Sequence, residues 1–61
     1  MASRYIEDKR DWWQAVARLH REKADYWRAV NDSIYQAAEE AAQHAEEMAA
    51  RYEAELRRAT W

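Results

Sequence analysis

The run Ala29-Val30-Asn31-Asp32-Ser33-Ile34-Tyr35-Gln36 holds the single cluster of turn formers in the chain. Ser33, with Gln36 three residues on, has the S-x-x-Q form of a capping box. In that motif the hydroxyl accepts from the third amide and the Gln side chain reaches back to the cap. Val30 and Ala37 flank it as a loose hydrophobic staple. Asn31 tolerates a left-handed conformation better than most residues, which suits the end of a preceding helix. At the other end of the chain, Ser3 can cap a helix starting at Arg4. The sequence therefore predicts helices over about residues 4–30 and 34–60, joined by a turn at 31–33. Each would be roughly 40 Å long. So short a connection between long helices makes an antiparallel hairpin. The expected fold is all-α, with residues 1–61 forming one helical-hairpin domain. A three-helix bundle needs a second break. Asp11 or Asp25 could cap one, but no C-cap signal precedes either.

Away from the turn, the two helices differ in bulk. The first carries Tyr5, Ile6, Trp12, Trp13, Val16, Leu19, Tyr26, Trp27 and Val30. These fan over about 160° of its surface, wider than the ~100° stripe of a simple amphipathic helix. One partner helix cannot cover that fan, whereas two can. The second helix repeats Ile34, Ala38, Ala41, Ala45, Met48, Tyr52, Leu56 and Ala59 at steps of three and four, and Ala37, Ala42 and Ala49 widen its face. Large residues facing small ones interdigitate without voids. The expected packing sets Trp13, Val16, Trp27 and Val30 onto Ala38, Ala41, Ala45, Met48 and Tyr52. Trp12, Leu19, Tyr26 and Leu56 complete the expected core and interface set.

Eight Trp and Tyr residues in 61 are too many to leave exposed on one hairpin. The simplest closure is a homodimer, two hairpins forming a four-helix bundle with twofold symmetry. The alternative is a different protein docked on the aromatic face, where Trp, Tyr and Arg suit a binding hot spot.

Charge agrees with helix alternation round such a bundle. Residues 1–30 carry seven Lys and Arg against five Asp and Glu; residues 31–61 carry three against seven. The first helix is mildly basic and the second acidic. Arg4–Asp8, Arg18–Glu22, Arg21–Asp25, Glu47–Arg51 and Glu53–Arg57 stand at i,i+4, each pair worth about 0.3 kcal/mol.

The chain has no Cys, Gly or Pro. Disulfides, thiol catalysis and Cys-ligated zinc are excluded. So are Gly-dependent phosphate loops, dinucleotide fingerprints, nucleophile elbows and EF-hand loops. No apolar run exceeds three residues, so neither a membrane span nor a signal peptide is expected. This is the sequence of a soluble protein, cytoplasmic if natural.

Two histidines and two lysines are the candidates for chemistry. His20 and His44 stand twelve residues either side of Asp32, at nearly one height in a hairpin. A dimer with both turns at one end would gather four imidazoles, a set able to hold zinc or haem. Neither His has the Glu-x-x-His context of a built site; the residues three before them are Ala17 and Ala41. The expectation is one half-buried and one solvated His, with no metal or cofactor. Lys9 and Lys23 point into the apolar fan, where a desolvated amine could form a Schiff base. A stem lying on apolar surface with its ammonium in water is the commoner arrangement. Aromatics among arginines can stack on single-stranded nucleic acid, but these lie at core spacing in an acidic chain. No nucleic acid, membrane or catalytic role is expected.

The run Ala37–Arg58, AAEEAAQHAEEMAARYEAELRR, resembles idealised helix. Propensity, pattern and capping agree throughout the chain. It resembles de novo designed helical bundles as a class, which implies a structural role and no functional motif. The Trp12-Trp13 pair and the Gly-free turn depart from that style. The hairpin-dimer architecture is also similar to that of RNA-binding plasmid copy-control regulators, with no motif matched.

Overall fold

A computed structural model of the chain describes residues 2–59, with side chains from Arg4 onward. Helix α1 spans Ala2–Trp27 and helix α2 spans Asp32–Ala59. The described residues are all-helical, and the two helices pack against each other as an antiparallel hairpin. The result is a thin rod whose backbone spans 46 × 13 × 10 Å. Neither helix is long and apolar enough to cross a membrane.

The turn sits earlier than the sequence predicts. α1 ends at Trp27 rather than Val30. The Trp27 carbonyl accepts from both the Val30 and Asn31 amides at 3.0 Å. Asn31 then caps α2, its Oδ1 accepting the Ile34 amide at 3.2 Å. Its carbonyl takes the Tyr35 amide at 3.0 Å, the first turn of the new helix. A side-chain cap of this kind contributes about 1 kcal/mol. Asn31, not Ser33, is thus the N-cap, and no described residue has a positive φ. Asn is as good a cap as Ser. Capping from Asn31 also brings Asp32 into the first turn, where its carboxylate meets the positive end of the helix dipole. Ser33 lies inside the helix. α1 begins at Ala2 rather than Arg4; the expected Ser3 side-chain cap, like Thr60, lies outside the described residues.

The seam between the helices is made of alanine. Among the described residues, Ala17 and Ala24 of α1 and Ala38, Ala42, Ala45 and Ala49 of α2 are the buried ones, and no large side chain is fully buried. Both helices follow strict alternating steps of three and four along it. In α1 the row is Ile6, Arg10, Trp13, Ala17, His20, Ala24 and Trp27; in α2 it is Tyr35, Ala38, Ala42, Ala45, Ala49, Tyr52 and Leu56. Methyl groups at the centre let the backbones approach closely, and the larger half-buried residues close the ends. Each buried methyl is worth about 0.8 kcal/mol. Six of them are little against the conformational entropy of ordering two long helices.

Candidate functional site

The two edges of the seam differ in chemistry. One edge is pinned by arginines of α1 reaching glutamates of α2. Arg10 donates to Glu53 at 2.9 Å and also holds Asp11 at 3.0 Å. Arg21 bonds Glu46 through two nitrogens, at 2.8 and 3.0 Å, and Glu39 at 2.8 Å. One guanidinium thus spans two glutamates seven residues apart, a use of its fixed fork that no lysine could copy. The hydrogen bonds from Arg21 hold the Glu46 carboxyl below the usual carboxylate range. Those to Glu46 and Glu39 raise Arg21 above its ordinary value. Of the expected pairs within one helix, Glu53–Arg57 closes at 3.8 Å, while Arg21 turns from Asp25 toward α2.

The other edge is apolar and open. Trp27, His20 and Lys23 face Ile34, Ala37, Ala38 and Ala41 across a groove of about 450 Å³. Further along, the Trp13 ring meets His44 edge-on, with centroids 5.5 Å apart.

Beyond this edge α1 carries a second apolar face. Tyr5, Trp12, Leu19 and Tyr26 recur every seven residues, and Lys9, Val16 and Lys23 interleave with them; Val30, next in the series, lies in the turn. Together they repeat the alternation of four and three, turned about 100° round the helix from the seam. Val16 is half-buried and the rest are exposed; Trp12 is 57%, Leu19 65%, Val30 68% and Tyr26 70% exposed. Two of the rings lie edge-to-face on their neighbours: Trp12 on Trp13 at 4.7 Å and Tyr26 on Trp27 at 5.1 Å between centroids. The Lys9 ammonium lies 5.7 Å from the Tyr5 ring centre.

The residues expected to form core and interface therefore separate into groups. Ala38 and Ala45 are buried. Trp13, Val16, Trp27, Ala41, Met48, Tyr52 and Leu56 are half-buried along the seam and its open edge. Trp12, Leu19, Tyr26 and Val30 face solvent. Val30 was expected against α2, but ending α1 at Trp27 carries it into the turn. The seam alanines 17 and 24 fall outside the expected set; Ala42 and Ala49, expected only to widen the face of the second helix, lie on the seam itself, and Arg10 and His20 hold seam positions. The 3–4 spacing of alanines was the available signal, masked by the polar residues within it.

The histidines have different surroundings. His20 is half-buried in the groove, whereas His44 is exposed and packed edgewise on Trp13. Among the described residues no three His, Asp or Glu side chains converge as a metal-holding group. Lys23 lines the groove, and Lys9 lies on the outer face.

No protein-family model, curated protein or solved structure matches this chain, and the reading of its function rests on the geometry above.

Proposed function

We propose that this chain is a structural, self-associating helical hairpin whose open face is closed by a second copy, giving a homodimeric four-helix bundle. The observation that carries the proposal is the second heptad-spaced face of α1, apolar but for Lys9 and Lys23 and left uncovered by α2. Two faces about 100° apart on one helix suit the corner of a four-helix bundle, where each helix has two neighbours. The area agrees. The hairpin exposes 4873 Å², against about 4,200 Å² for a compact monomer of its mass. The excess, roughly 700 Å², approaches the ~800 Å² that each partner loses in a stable interface.

Leu19→Lys tests this, because Leu19 is exposed in the single hairpin and the substitution costs that hairpin almost nothing. Sedimentation equilibrium is expected to show the dimer replaced by a monomer, with helicity falling as the bundle opens. A variant that dimerises as strongly as the parent would refute the assignment of this face. A second reading has one supporting observation: Leu19 and Tyr26 point farthest from the seam. A face so placed could instead dock on another protein, and the parent chain would then be monomeric alone.

A further inference from the structure

We infer that the second copy docks with its turn at the same end, so that α1 of each hairpin lies along α2 of the other. This rests on the dimer proposed above and fixes its orientation. A face-to-face pair of hairpins has two twofold solutions. In one, the axis runs along the bundle, both turns share an end, and α1 meets the partner copy's α2. In the other, the axis crosses the bundle, the turns lie at opposite ends, and like helices meet.

The levels of the hairpin decide between them. The Arg10–Glu53 bond puts residue 10 level with residue 53. Arg21, held by Glu39 and Glu46, is level with the residues midway between them. An axis along the bundle preserves height, so the partner copy's α2 offers the same residues at the same levels. The open face of α2 carries Ile34, Ala37, Ala41, His44 and Met48, with Arg51 and Glu55 toward its end, and Leu19 is level with His44 of the second copy. Lys9 then stands level with Glu55 of the second copy, and Trp12 with Arg51, an ammonium on a carboxylate and a guanidinium on an indole. Val16 is level with Met48, Tyr26 with Ala37, and Val30 with Ile34. The bulky rings of α1 enter the hollow left by alanines, and the Lys23 stem crosses Ala41.

The opposite-end solution stacks like on like. Lys9 and Lys23 lie seven residues either side of Val16, near mid-hairpin, so each lysine would meet the other's counterpart. The large residues of α1 would crowd one side of the bundle while the alanines of α2 left the other side hollow.

Lys9→Glu separates the two. With turns at one end it sets like charges against Glu55, twice per dimer, and the dissociation constant is expected to rise by about fivefold or more. Mixing it with Glu55→Lys would restore a heterodimer. With turns at opposite ends Lys9→Glu would instead tighten the dimer, overturning the inference. Spin labels on Ser33→Cys give an independent reading. The same-end bundle predicts a label separation within about 25 Å, given helices spaced at 8–10 Å. A separation near the 46 Å length of the hairpin would overturn the orientation while leaving the dimer intact. A labelled chain that sediments as a monomer would overturn the dimer itself.

Discussion

At the scale of single residues, this hairpin is organised by its smallest side chains. Ala42 and Ala45 are fully buried, and Trp12, Trp13 and Trp27 are not among the buried residues. Close helix approach at these methyl groups positions everything else, including the Arg21 fork and the Trp13–His44 contact. A larger residue there must push the helices apart. Ala45→Leu is expected to destabilise the fold by about 1–3 kcal/mol, the usual cost of overpacking, measured by chemical denaturation. Equal or greater stability would mean that the seam is loose. In the sequence the rings stand out as core because large apolar residues dominate any count of hydrophobic faces. Arg10 and His20 interrupt the apolar pattern of α1 where its alanine row runs. Physically both fit. Arg10 extends past the seam to Glu53, and His20 lies half-buried in the groove.

At the scale of elements, two helices and one break were legible because the Asn31-Asp32-Ser33 cluster has no rival in the chain. The position of the cap was not. Asn, Asp and Ser are near-equal caps, and the choice falls on the residue whose side chain reaches the Ile34 amide. The fan of α1 was legible as too wide for one partner, and the structure resolves it into two separate faces. Polar contacts between elements lie on one edge of the seam, and they make stability depend on pH. Glu46 titrates below its ordinary value in the folded chain because Arg21 donates hydrogen bonds to its charged form. A carboxylate depressed in this way stabilises the fold above its unfolded pKa. That contribution is lost as pH falls through the lower, folded value. The hairpin is thus expected to weaken on the acid side of the ordinary carboxylate range, and Arg21→Gln should flatten that acid limb in pH-dependent thermal melts. An unaltered acid limb in Arg21→Gln would remove this clamp from the account. Both groups are solvent-exposed, so the effect is small and shrinks with salt.

At the scale of the whole molecule, two helices side by side, their backbone spanning 13 Å by 10 Å in cross-section, form one layer with no interior for large side chains. Its charges divide by helix, basic on α1 and acidic on α2, and its bulk divides the same way. The division of charge is satisfied within one hairpin by the arginine–glutamate bonds at the edge of the seam, and a pair of copies would satisfy both divisions. A face-to-face pair would give the rod its second layer and cover the rings that α2 leaves in water. On the reading proposed above, a second copy covers the outer face of α1. Light scattering coupled to size exclusion, on the unaltered chain from high to low micromolar concentration, tests it most directly. A covered face gives a mass near twice 7.4 kDa that persists on dilution. A helical species of 7.4 kDa across that range would contradict it.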